Sequence, residues 1–73
     1  MENPKNILVN ICINKRFIPP RYQTKQLNNL DTFNYICKSL FLGEIFTGYG
    51  RSEYHAEHEV ARKMINHILI NNI

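Results

Sequence analysis

Arg51, Ser52, Tyr54, His55, Glu57, His58, Arg62 and Lys63 crowd one short stretch of the 73-residue chain, GYGRSEYHAEHEVARKMINHI from Gly48 to Ile68. Gly48 and Gly50 flank Tyr49, and Ser52 stands where a helix needs a side-chain oxygen to accept from its first free backbone N–H groups. A helix that starts on such a turn presents the positive end of its dipole, an arrangement suited to anions and above all to phosphate. Two other chemistries deserve weighing. His55 and His58 share a helix face at a three-residue spacing that suits a metal, with Cys12, Cys37 or His67 as a further ligand, but neither cysteine has motif spacing to them; exposed helix histidines are the ordinary alternative, and no metal or cofactor is assigned. Catalysis by the chain alone is not expected, because its carboxylates are scattered, Ser52 is better used as a cap, and so short a chain leaves no room for a sizeable pocket.

These residues need a scaffold. Ala56, Val60, Ala61, Met64, Ile65 and Ile68 recur at three- and four-residue spacing, which predicts a helix with one stripe buried and with Glu53, Glu57, His58, Arg62 and Lys63 facing elsewhere. Near the other end, Pro4 suits a first helical turn with Asn3 as its cap. Ile7, Leu8, Ile11 and Cys12 form a narrow apolar stripe up to about Arg16, with Asn6, Asn10 and Asn14 on or beside the opposite face. Pro19 and Pro20 end this helix, since each lacks a donor and disfavours helical geometry in the residue before it. Tyr22 to Leu27 reads as a first strand, Asn28 to Asp31 as a turn, and Thr32 to Ser39 as a second strand with Phe33, Tyr35 and Cys37 on one face. Leu40, Phe41, Leu42 and Gly43 read as an apolar connection into a third strand, Ile45 to Tyr49. The expected architecture is α+β, in the order α-β-β-β-α, with a three-stranded antiparallel sheet and both helices on one face.

Seventy-three residues make one domain, 1–73, with an ordered core of about 4–69 and little more than half of its unfolded surface to bury. The net charge of +3 permits nucleic-acid binding without arguing for it. Its distribution is more telling: Lys5, Lys15, Arg16, Arg21, Lys25 and Lys38 outweigh Glu2, Asp31 and Glu44 before Gly48, whereas charges balance after it. Cys12 and Cys37 lie among apolar residues and read as reduced structural thiols. With no secretory leader pattern and no stretch of transmembrane length, the expectation is a soluble, intracellular and cytoplasmic protein, and a domain of something larger.

Taken in order, Pro4, then Pro19, Pro20, Arg21 and Tyr22, then Phe33, the Gly48-x-Gly50-x-Ser52 turn, and Ala56 and Ala61 resemble the double-stranded RNA-binding domain (dsRBD) family over nearly the whole chain. The resemblance implies a noncatalytic module that grips A-form duplex by shape through the first helix, the loop between the first two strands and the start of the last helix. Carried over by position, contacts fall on Asn6 and Asn10, on Asn28 and Asn29, and on Arg51, Ser52, Tyr54, His55, Arg62 and Lys63. The family's loop pattern of Gly-Pro-x-His is absent between Asn28 and Asp31. Its lysine-rich phosphate clamp is replaced by Glu53, Tyr54, His55, Ala56 and Glu57, which removes three positive charges and adds two negative ones, so binding is expected to be weak. Protonation of His55 and His58 would strengthen it at lower pH. The Gly50-Arg51-Ser52 turn beside a tyrosine is also similar to the C-terminal domain of Dicer-type ribonucleases.

Two functions compete on these residues. One is a weak, shape-specific double-stranded RNA module that assists a larger RNA-silencing or RNA-processing protein, for which it would be a noncatalytic accessory domain. The other is a domain of the same kind whose RNA face has decayed and which pairs with a protein partner or with its own copy, through Leu40, Phe41 and Leu42 or an open sheet edge.

Overall fold

The computed structural model describes residues 3–27 and 34–73. It has the expected order: helix α1 (Pro4–Lys15), strands β1 (Gln23–Gln26), β2 (Tyr35–Phe41) and β3 (Glu44–Gly50), and helix α2 (Glu53–Asn71). The sheet is antiparallel in the order β1-β2-β3. Helix α2 lies across all three strands, and α1 packs alongside α2. The turn expected at Asn28 to Asp31, and Phe33 with it, lies outside the described residues.

Local chemistry fixes both helix starts. The Asn3 side chain accepts from the Asn6 N–H at 2.9 Å, with Pro4 in the first turn. Ser52 Oγ accepts from the His55 N–H at 3.2 Å. At its far end α1 closes on Arg16 in the left-handed region at φ 59°, and the Phe17 N–H donates back to the Cys12 carbonyl at 2.9 Å. Helix α2 runs one turn beyond the expected Ile68, closing on Asn72, also left-handed.

The β2–β3 connection departs from expectation. Leu40 and Phe41 are not part of an apolar loop; they continue β2, pairing with Ile45 and Glu44. The turn is Leu42–Gly43 alone, with φ of 52° and 79°, the left-handed pair that a two-residue hairpin requires. Phe41 is pulled inward, only 3% exposed, with its ring edge-on to Phe17 at 6.3 Å. That burial is why the strand is longer than its sequence suggests, and it leaves little of Phe41 at the surface.

Alternation along β2 sends Cys37, Ser39 and Phe41 toward α2. They meet Leu8 and Cys12 from α1 and Ala56, Val60, Ala61, Met64 and Ile68 from α2 in one core. Both cysteines are free and buried, and burial pushes both thiols up from their ordinary pKa. Ser39 is satisfied there by donating to the Arg21 carbonyl at 2.7 Å, which holds the segment after Pro20 against the sheet.

Gly48 and Gly50 lie within β3 rather than in a turn, and neither has a positive φ. They are needed because α2 comes so close. A Cβ on Gly48 would stand 2.9 Å from the Ala56 carbonyl oxygen, and one on Gly50 would stand 2.5 Å from the Ala56 nitrogen. The paired glycines set the depth at which the start of α2 rests on the sheet.

Candidate functional site

That seating places Arg51 and Ser52 between the end of β3 and the first turn of α2, and it brings two surface grooves to either side of Tyr54. On one side, Asn3, Lys5 and Asn6 from the start of α1 face Glu53, Tyr54, Glu57 and His58. On the other, Tyr49 and Arg51 face Tyr54, His55, His58 and Arg62 across a groove of about 540 Å³. The start of each helix thus contributes to a single continuous surface, with Tyr54 as the ridge between its halves.

Tyr54 is exposed (58%) yet held in place. Its ring lies against His58 with centroids 3.8 Å apart and planes tilted by 38°, and its edge contact to His55 is at 5.5 Å. His55 Nδ1 is also 2.8 Å from Ser52 Oγ, so the cap and the imidazole form one unit. His58 departs from expectation. It was expected to face away from the buried stripe, but it is only 8% exposed, because Tyr54 one turn earlier folds over it. Burial lowers its pKa, with Lys5, His55 and Arg62 adding to the effect and Glu57 opposing it. His58 is therefore held toward its neutral form as a support for Tyr54, and burial works against its adding to the clamp by protonation.

Glu57 departs as well. Rather than standing in the path of phosphates, its side chain is only 18% exposed, paired with Lys5 at 2.5 Å and accepting from the Thr24 hydroxyl at 2.9 Å. Burial alone would raise the Glu57 carboxyl, but the bonds from Lys5 and Thr24 outweigh it and leave its pKa below the ordinary value. One carboxylate ties α1, β1 and α2 together. Lys5 is fully engaged in this tie, since its ammonium also sits 4.7 Å over the Tyr22 ring. Of the two acidic residues at the clamp position, Glu53 is the exposed one, with no ion-pair partner among the described residues.

The other expected contact residues divide. Asn6, Arg51, Tyr54, His55 and Arg62 are brought together around the two grooves, with Ser52 capping the helix at their centre. Arg62 also binds Glu59 at 2.9 Å. Asn10 is exposed on α1 but lines neither groove. Lys63 turns away, donating to the Thr47 carbonyl at 2.7 Å on β3. Asn28 and Asn29 lie outside the described residues. The residue missed from sequence is Lys5, whose partner lies 52 positions away and leaves no local trace. His67 also has an assignment, with Nε2 2.8 Å from Glu44 and the ring edge-on to Phe46 at 5.4 Å. Among the described residues, no three or more His, Cys, Asp or Glu side chains come together as metal ligands, and no helix is long and apolar enough to cross a membrane.

The opposite face of the sheet is apolar at one end. Leu40 and its cross-strand partner Ile45 are 66% and 71% exposed, and Leu42 and Ile18 border the same groove. Ile45 and Ile18 join Leu40 and Leu42 here, and the largely buried Phe41 reaches the same groove.

No protein-family model matches the chain, and no curated protein matches it. Solved structures do. The chain is similar to a structure of Arabidopsis HYL1, with a TM-score of 0.68 and 24% identity over 90% of this chain and 94% of that one. It is similar to the second dsRBD of HYL1, with a TM-score of 0.65 and 24% identity over 90% of this chain and 97% of that one. A structure of both dsRBDs of DRB4 with their linker gives a TM-score of 0.61 and 22% identity, matching 94% of this chain to 44% of that one. At these identities the likeness is one of fold: the chain has the α-β-β-β-α fold of a dsRBD.

Proposed function

We propose that the chain is a noncatalytic double-stranded RNA-binding module of modest affinity that recognises duplex shape. The observation that carries this reading is the continuous surface formed by the starts of the two helices, where Asn6 stands across from Tyr54 with Arg51, His55 and Arg62 beyond it. Asparagine amides and a phenol can meet 2′-hydroxyls in a shallow minor groove, and the capped, arginine-flanked start of α2 suits phosphate. Affinity is modest because, at the starts of the two helices, Lys5 is engaged by Glu57 and Arg62 by Glu59, while Lys63 turns to the β3 backbone. The module assists a larger RNA-silencing or RNA-processing protein, such as a Dicer-type ribonuclease. The likeness to HYL1, whose structure was described for its implications for miRNA processing, supports that setting.

The test is a titration of the ¹⁵N-labelled domain with a perfect RNA duplex of about 20 base pairs, and with the DNA duplex of the same sequence, at low and at moderate salt. Shifts confined to Asn6, Asn10 and residues 51–55, produced by RNA alone and reduced by salt, are the expected result. Absence of shifts there at low salt would rule the reading out.

A second reading rests on the exposed Leu40–Ile45 pair and the neighbouring Leu42 and Ile18. There the module also pairs with a protein partner or with a second copy of itself, burying this apolar end of the sheet. Sedimentation at millimolar concentration separates a self-pairing domain from a monomer, and Ile45→Lys should dissociate it.

A further inference from the structure

The groove between β3 and α2 is richer in rings than the gripping of a duplex backbone requires. Backbone contact calls for amines, guanidinium groups, hydroxyls and amides. This groove instead sets the exposed ring of Tyr54 between two imidazoles, with Tyr49 at the rim on the β3 side and guanidinium groups from Arg51 and Arg62 at its ends. The Tyr54 ring is backed by His58 and braced by His55, whose ring is in turn fixed to Ser52. A ring held in this way loses little freedom when something stacks on its open side. The one carboxylate in the groove, Glu59, is already bound by Arg62, so it does not repel an anion there. At about 540 Å³ the groove falls within the range of small-ligand sites.

A planar, π-faced group that carries a negative charge is the ligand such a site fits. We propose that the groove takes one unpaired nucleotide of the bound RNA, at a frayed end or a single-stranded flank, with its base stacked on Tyr54 and its phosphate held by Arg51 and Arg62. This rests on the reading of the chain as an RNA module and extends it. Tyr54 and His58 line both grooves, so a strand leaving the duplex at the starts of the helices reaches the ring without crossing open surface. Stacking on an aromatic ring tolerates any base, and the preference is therefore for an unpaired nucleotide and not for a sequence.

The experiment compares an RNA duplex of about 20 base pairs with blunt ends to the same duplex carrying a single-stranded 3′ tail of about four nucleotides, at fixed salt. The readout is the ratio of the two affinities, in the native chain and in Tyr54→Leu and Tyr54→Phe, each checked for native circular dichroism. The tailed duplex should bind about fivefold tighter or more, the low end of what stacking one base provides. Tyr54→Phe should keep that ratio and Tyr54→Leu should bring it to about one, whatever either does to the blunt duplex. In the native chain, the tail should also move the Tyr54 ring resonances upfield, a readout that does not depend on the variants folding. A ratio of one in the native chain, or a ratio that survives Tyr54→Leu, overturns the inference while leaving the RNA module standing. If neither duplex binds at low salt, the module reading fails and the inference falls with it.

Discussion

Glu53→Lys and Glu57→Lys make the same change of charge at the start of the same helix, and they should have opposite consequences. Glu57 ties α1 to α2 through Lys5 and reaches β1 through Thr24, with its side chain 18% and that of Lys5 36% exposed. An ion pair so enclosed lies between the surface case, worth about 0–1 kcal/mol, and the buried case, where loss of one partner costs about 3–5 kcal/mol. Allowing for the lost hydrogen bond from Thr24, and for a new ammonium placed beside Lys5, Glu57→Lys should cost about 2–3 kcal/mol. For a domain of this size that is a fall of about 10–20 °C in the melting midpoint. Glu53 is exposed in the first turn of α2, where a carboxylate gains only about 0.3–1 kcal/mol from the helix dipole, so Glu53→Lys should melt within a few degrees of the parent. On RNA the order reverses. Glu53→Lys should tighten duplex binding and steepen its salt dependence by about one phosphate contact, whereas Glu57→Lys should gain less because α1 loosens. Circular dichroism melts and fluorescence anisotropy across a salt series read both quantities. If Glu57→Lys melted with the parent and tightened RNA as much as Glu53→Lys, Glu57 would be a surface charge in the path of phosphates, and the tie described above would be wrong.

Gly50→Ala places a Cβ within 2.5–2.7 Å of Ala56 and His55 backbone and Cβ atoms, so α2 must lift; a loss of about 2–3 kcal/mol in chemical denaturation is expected, and a neutral result would mean the helix sits higher than described. Leu42→Asn puts a residue that tolerates the left-handed region at φ 52° and should stabilise the hairpin by about 1 kcal/mol, read as a higher urea midpoint. The pKa of His58 is lowered in the fold, chiefly by burial, so its contribution to stability is complete above its ordinary value near 6.5 and is lost as pH falls below it; His58→Gln should flatten that part of a stability–pH profile. The Glu57 carboxyl is lowered too, so its contribution is lost only below about pH 4.5 and this second fall should persist in His58→Gln.

The features legible in the sequence are those whose physics is local. Helix starts at Asn3 and Ser52, the end of α1 at about Arg16, and the stripe from Ala56 to Ile68 each follow from neighbours within four residues, and all stand in the fold. What resisted reading depends on partners distant in sequence. Nothing near Glu57 announces Lys5, so a structural carboxylate passed for a surface one. Gly48 and Gly50 looked like a turn because the other use of glycine, allowing a helix to press on a strand, shows only when the helix is in place. The hairpin was hidden for a different reason. Leu42 holds a left-handed position where Asn or Asp would have signalled the turn, and the apolar run through Leu40 and Phe41 masked where the strand ended.

The dependence of α1 on α2 bears on how the chain acquires its shape as it is made. Among the described residues, the backbone of α1 draws close to α2 and to no strand, and its tie through Lys5 spans 52 positions. A lone helix of 12 residues is marginal in water, so α1 emerges from the ribosome with nothing to dock against until the last 19-residue helix has followed it. The hairpin of β2 and β3 can form early, but the Asn6–Tyr54 surface comes into being only in the final step. The half-made fold therefore lacks this surface, which appears only once α2 is in place against α1.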